Sequence, residues 1–138
     1  MATRDHILLE MRPELHRAKV YDTMSDEEYF QNNTLRPVVA LQNDLLLAAF
    51  SNYINKHKGV YHRLKHIDQK KNYIENAIQR DQKFRNSLKG MILGQFTLEE
   101  YDTYILNSSR LNKRMMHLVK ERLIDQMLYL ENHNLMAG

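Results

Sequence analysis

Apolar residues recur at the helical period along most of this chain, which leaves little room for any other architecture. One stripe runs through Val38, Leu41, Leu45, Ala49 and Tyr53. A second runs through Ile74, Ala77, Ile78, Phe84, Leu88, Met91 and Ile92. A third passes Tyr101, Tyr104, Ile105, Leu111, Met115, Leu118, Val119, Leu123 and Met127. Residues three and four apart share one side of a helix, so each stripe reads as a helix face turned to a core. Only 4 Gly and 2 Pro are available for turns in 138 residues, which is sparse for an all-β chain. The pattern predicts an all-α antiparallel bundle of four or five helices with short connections. At this length we expect one domain that folds without a metal or disulfide.

Local signals set the expected boundaries. Thr3 offers a cap for a first helix with Ile7, Leu8, Met11 and Leu15 as its apolar side, interrupted by Pro13; a short strand over residues 6–11 is the alternative. Residues 1–24 are read as this helix and a linker. Ser25 followed by Glu28, and Thr97 followed by Glu100, have capping-box spacing. Thr34 offers a further cap ahead of Pro37, although Pro37 could instead kink one long helix starting at Ser25. Gly59 suits a left-handed helix end. Long helices are expected over about residues 68–94 and 98–131, with a frayed tail over 132–138.

Two of these stripes are interrupted by polar residues. With Ile74 set at zero and 100° per residue, Asp81 falls near ~340° and Arg85 near ~20°, inside the apolar arc and one turn apart. Counted from Tyr101, Ser108 and Asn112 fall at the same angles on the last helix. All four lie roughly 14 to 22 Å from the hairpin turn at 1.5 Å per residue. They should therefore meet as one layer, with Gln42 at a matching height on the preceding helix. A buried polar layer of Asp81, Arg85, Ser108, Asn112 and Gln42 either fixes the packing register or holds an anionic ligand on the Arg85 fork.

Other constellations carry less. His62 and His66 have the i, i+4 spacing of two metal ligands on one helix face. No third ligand accompanies them, and neighbouring cations oppose a metal. His6 and Glu10 form a similar pair. Lys56, Lys58, Arg63, Lys65, Lys70 and Lys71 form a basic segment with Tyr61 interleaved, the composition of a nucleic-acid contact. An acidic stretch at residues 22–30 and a basic run at 110–122 on a chain of net charge +3 suit self-association or an acidic partner. No P-loop, G-x-S-x-G or Ser-His-Asp order occurs. Cysteine is absent, which excludes thiolate chemistry and fits a reducing compartment. No apolar run reaches the length of a membrane span, and the N-terminus lacks a signal-peptide core.

The segments "TLRPVVALQNDLLL", "FRNSLKGMILGQFTLEEY" and "NSSRLNKRMMHLVKERL" resemble a family of short helical bacterial proteins, over residues 34–123. Members are sometimes labelled glyoxalase. Glyoxalase I-type enzymes are built from βαβββ units with a His/Glu metal site, and the pattern here predicts neither. The resemblance implies no catalytic residue. The sequence therefore favours a soluble, cytoplasmic, non-enzymatic interaction module that needs no cofactor, forms a homodimer and does not enter a membrane. A binder or enzyme acting on a small anionic molecule through the polar layer is the alternative, and a nucleic-acid-associated protein is the second.

Overall fold

The computed structural model describes residues 3–15 and 19–137, with side chains up to residue 127. The expected N-terminal linker (at 16–18) and tail (at 138) lie partly outside this range. The described residues form an all-α bundle without a strand. Helix α1 spans Thr3–Met11. Helix α2, Asp26–Phe30, runs into a π-helical turn over Gln31–Leu35 and then α3, Arg36–Leu41. Helices α4, Asn43–Lys56, and α5, Val60–Arg63, follow. Then come α6, Ile67–Arg80; α7, Gln82–Leu93; α8, Leu98–Ile105; and α9, Ser108–Ala137.

Helix α9 is the axis of the bundle. At 1.5 Å per residue its 30 residues extend ~45 Å. It contacts α3, α4, α6, α7, α8 and the π turn. Leu111, Met115, Val119 and Leu123 form its buried side. They meet Leu46, Phe50 and Ile54 of α4, Ile74 and Ile78 of α6, and Leu88 and Ile92 of α7 in one core. An aromatic group of Phe50, Tyr53, Tyr61, Tyr73 and Phe84 closes the end of the bundle nearest α5.

Several boundaries differ from those expected, each for a local reason. The helix anticipated over 68–94 is broken at Asp81, whose backbone is extended (φ −90°, ψ 98°). The one anticipated from 98 is broken at Leu106 and Asn107, and it continues beyond 131 to Ala137. Of the two readings at Pro37, the kinked helix from Ser25 is the one present. Proline has no N–H to continue the ladder, and the turn before it widens to π geometry. Thr34 therefore caps nothing. A further kink at Gln42 (φ −87°, ψ 6°) shifts the buried side of α4 to Leu46, Phe50 and Ile54, leaving Leu45 exposed. Residues 6–11 are helical rather than a strand, yet Ile7, Leu9 and Met11 are exposed and Asp5 is buried. The capping box at Thr97 and Glu100 is formed in full. Lys58 and Gly59 take the left-handed conformation that ends α4.

Candidate functional site

The five residues of the expected polar layer do not meet. Asp81 ends α6 and caps α7: its Oδ1 accepts the Phe84 N–H at 3.1 Å. An Asp side chain at an N-cap satisfies an orphan donor that a mid-helix Asp could not. Because the helix is interrupted there, the 100° arithmetic no longer carries the phase of α6 from Ile74 into α7 and Arg85. Arg85 is half-buried and makes no side-chain hydrogen bond or ion pair among the described residues. Gln42 donates to the Met91 carbonyl at 2.8 Å, tying the kink of α3 and α4 to α7. Asn112 accepts from the Tyr104 hydroxyl at 2.6 Å, joining α8 to α9. Ser108 opens α9. Each of these contacts joins or starts helices locally, and none gathers the others around a ligand.

Asp81 has other neighbours. Its Oδ2 lies 3.9 Å from His57 Nε2. Burial, with the adjacent Asp81 carboxylate and then Tyr73, pushes the Tyr53 hydroxyl up to about 12. Tyr53 and Tyr73 are shared by two open clefts, one reaching Arg80, Asp81 and Lys83 and the other Lys56, His57 and Lys58.

The basic segment surrounds α5. Lys56, Lys58, Arg63, Lys65 and Lys71 are exposed, and Lys70 is half-buried with Nζ 5.5 Å from the centre of the Tyr61 ring. Tyr61 itself is fully buried among Phe50 and Tyr73, so it is not available to stack on a base. His62 lies in α5, whereas His66 is extended (φ −105°, ψ 141°) ahead of α6. The two do not share a helix face. No group of three or more potential metal ligands occurs among the described residues. No described helix is long and apolar enough to cross a membrane.

A half-buried polar cluster built on Glu100 escaped the sequence reading. Arg12 donates twice to the Glu100 carboxylate, at 2.6 Å each, and once to the Gln95 carbonyl at 2.8 Å. Both side chains are nearly closed to solvent, 7% and 12% exposed. Thr34 Oγ1 and the Thr97 N–H also donate to Glu100. Burial would raise the Glu100 pKa. The hydrogen bond from Arg12, with those from Thr97 and Thr34, outweighs it and holds the carboxyl below the ordinary value. Asp5 accepts from the Leu98 N–H at the start of α8, and Arg4 donates to the Gly94 and Phe96 carbonyls. Helix α1 is thus held by polar contacts with the turn between α7 and α8. Glu100 was visible in the sequence as a capping residue, but nothing there marked Arg12 as its partner 88 residues away.

This anchoring fixes α8 with an apolar side facing outward. Leu98 is 63% exposed, Tyr101 47%, Ile105 52% and Leu106 85%. Leu98, Tyr101 and Ile105 have the spacing of one helix face. The turn at Leu106 and Asn107 rotates α8 relative to α9, so two residues of the expected core stripe, Tyr101 and Ile105, point to solvent. Glu99 and Thr103, on the flank of α8, line a cleft of about 670 Å³ with Leu9, Asp26, Tyr29 and Asn33. Elsewhere the acidic and basic stretches satisfy each other within the chain. Glu27 pairs with Arg110 and Arg114, at 3.1 and 3.3 Å, and accepts from Asn107. The bond from Arg110, followed by that from Asn107, lowers the Glu27 pKa.

Comparison of the chain with protein-family models, curated proteins and solved structures finds no match.

Proposed function

We propose that this protein is a helical interaction module and that α8 carries its contact surface. The supporting observation is the outward apolar face of Leu98, Tyr101, Ile105 and Leu106 on a helix held rigidly from behind. Apolar side chains scattered over a surface are ordinary, but a contiguous face of this kind marks a contact site. The rigid support lowers the ordering cost of binding. Residence in the cytoplasm, where reduced thiols are the rule, belongs to the same proposal. So does homodimerisation, through whichever surface remains free. A photo-crosslinking residue placed at Tyr101 or Ile105 in cells should give an adduct of defined mass, and one at Lys71 should not. An absence of adducts from both α8 positions refutes the reading.

A second reading, a small-molecule site, is supported by the meeting of Asp81, His57 and Tyr53 between two clefts. Native mass spectrometry of the purified protein tests it. A retained small molecule, lost on Asp81→Asn but kept by Ile105→Asp, would favour it over the interaction module.

A further inference from the structure

The charge around α8 narrows the chemistry of what can cover it. The chain has a net charge of +3, yet the surroundings of this face are acidic. Glu99 and Asp102 are exposed on α8, and Asp26 is exposed on the opposite wall of the cleft. None of the three has a side-chain ion pair among the described residues. The two other carboxylates of the cleft are already engaged, Asp5 by Arg4 and the Leu98 N–H, and Glu100 by Arg12. Arg4, Arg12 and Arg110, which lie near this face, already pair with Asp5, Glu100 and Glu27. Lys56, Lys58 and Lys65 sit around α5, at the end of α7 marked by Asp81 and His57. The α8 face adjoins the opposite end of α7, beyond Gly94, ~18 Å away along the 12-residue helix.

Resting on the interaction reading above, we propose that the α8 face and the adjoining cleft receive a basic amphipathic helical segment of another protein. Three observations converge on that occupant. The apolar residues at 98, 101, 105 and 106 would meet an apolar stripe of the incoming helix, as in other helix-in-groove contacts. Leu9 and Tyr29, 41% and 47% exposed, add apolar surface on the far side of the cleft, whose α8 wall is Glu99 and Thr103. Asp26, Glu99 and Asp102 flank the surface where lysines or arginines of such a helix would lie.

The same charges disfavour two other occupants. A second copy packed about a two-fold axis places the same patch on both sides, which would bring Glu99 and Asp102 toward their own counterparts. An anionic membrane would be repelled by the same carboxylates. Leu98, Tyr101 and Ile105 of α8, with Leu106 just beyond it, present surface on the order of 400–500 Å², within the ~300–600 Å² of the largest apolar patch on an ordinary monomer. The cleft brings it toward the ~800 Å² that each partner of a standard complex buries.

The test uses a fluorescent 14-residue leucine–lysine peptide with leucines at helical i, i+3, i+4, i+7 spacing. A leucine–glutamate peptide of the same pattern and a scrambled leucine–lysine peptide serve as controls. Fluorescence anisotropy should report binding of the first peptide at least tenfold tighter than of either control. Ile105→Asp should weaken that binding tenfold or more, as should the pair Glu99→Lys and Asp102→Lys. Lys65→Glu with Lys71→Glu, at the far end, should leave it unchanged. Circular dichroism and thermal melting establish that each variant is folded, and Tyr101→Ser repeats the test should Ile105→Asp not fold. Equal binding of the patterned and scrambled peptides overturns the proposal, as does indifference to the α8 variants.

Light scattering without peptide separates the two levels of the argument. If the patterned peptide does not bind but the protein self-associates, and Ile105→Asp abolishes that association, the basic partner is wrong and the interaction surface stands. If there is no peptide binding, no such self-association and no crosslink from α8, both fall.

Discussion

Arg12→Ala should detach α1 and measurably weaken the whole bundle. The Arg12 side chain is 7% exposed and makes two charge-assisted bonds to Glu100 and one to the Gln95 carbonyl. Removing one partner of a buried pair costs about 3–5 kcal/mol, because the other charge is left behind. Here Thr34 and the Thr97 N–H still donate to Glu100, so the lower end, ~3 kcal/mol, is expected. For a chain of this size that corresponds to a fall in Tm of roughly 10 °C. Helix α1 buries little apolar surface of its own, with Asp5 its one buried residue. It should therefore open before the rest unfolds, and hydrogen exchange should show its amides losing protection first. Arg12→Lys should recover little, because an ammonium cannot reproduce the paired geometry of the fork. A loss of less than ~1 kcal/mol, with α1 protection unchanged, would refute the anchoring role and the rigidity assigned to α8.

Further outcomes follow from the same contacts. Because the Glu100 pKa is held below its ordinary value of 4.5, its stabilisation is complete above that value and is lost as pH falls through the lower folded value; Glu100→Gln should flatten this acid limb in urea titrations. Asp81→Ala should cost about 1 kcal/mol as a lost N-cap, while Arg85→Ala should stay within ~0.5 kcal/mol, so a loss of ~3 kcal/mol at Arg85 in chemical denaturation would restore the buried pair. Leu46→Ala should cost ~2–5 kcal/mol and Leu45→Ala far less, since the first is fully buried and the second 47% exposed. In an ultraviolet pH titration Tyr53 should ionise near 12, and Asp81→Asn should lower that value by removing a neighbouring negative charge.

The helical class was legible because it depends on period alone, and every apolar stripe has that period. Phase was harder to read, and the candidate site depended on it. Leu45, Leu46 and Leu47 are consecutive, so they supply an apolar side whichever way α4 is rotated, and the kink at Gln42 makes the choice. At Asp81 there was a signal. The apolar positions before it centre near Ile74, whereas Phe84, Leu88, Met91 and Ile92 centre about 50° away, which is the slip a helix break produces. An Asp three residues before a buried Phe is also a capping arrangement. Reading through both features turned a cap into a buried charge and created a layer that the fold does not contain. Asn107 and the serines after it were an equivalent signal for the break before α9.

The Arg12–Glu100 contact illustrates a different limit. A capping glutamate and an isolated arginine are each ordinary in sequence, and only the docking of α1 across 88 residues makes them a pair. That pair has a consequence beyond stability. An eight-residue helix is too short to hold its shape alone in water, and the apolar side of α8 faces solvent, so little burial comes from that side. What keeps α8 in place is the capping box in front, Thr34 and Arg12 behind, and Tyr104 against Asn112 and the core. A polar scaffold of this kind can display an apolar surface without letting it collapse inward. Loosening the scaffold at Arg12 should therefore weaken binding at Ile105 even though the two side chains are not in contact, and Arg12→Ala should lower peptide affinity by slowing association more than Leu9→Ala does.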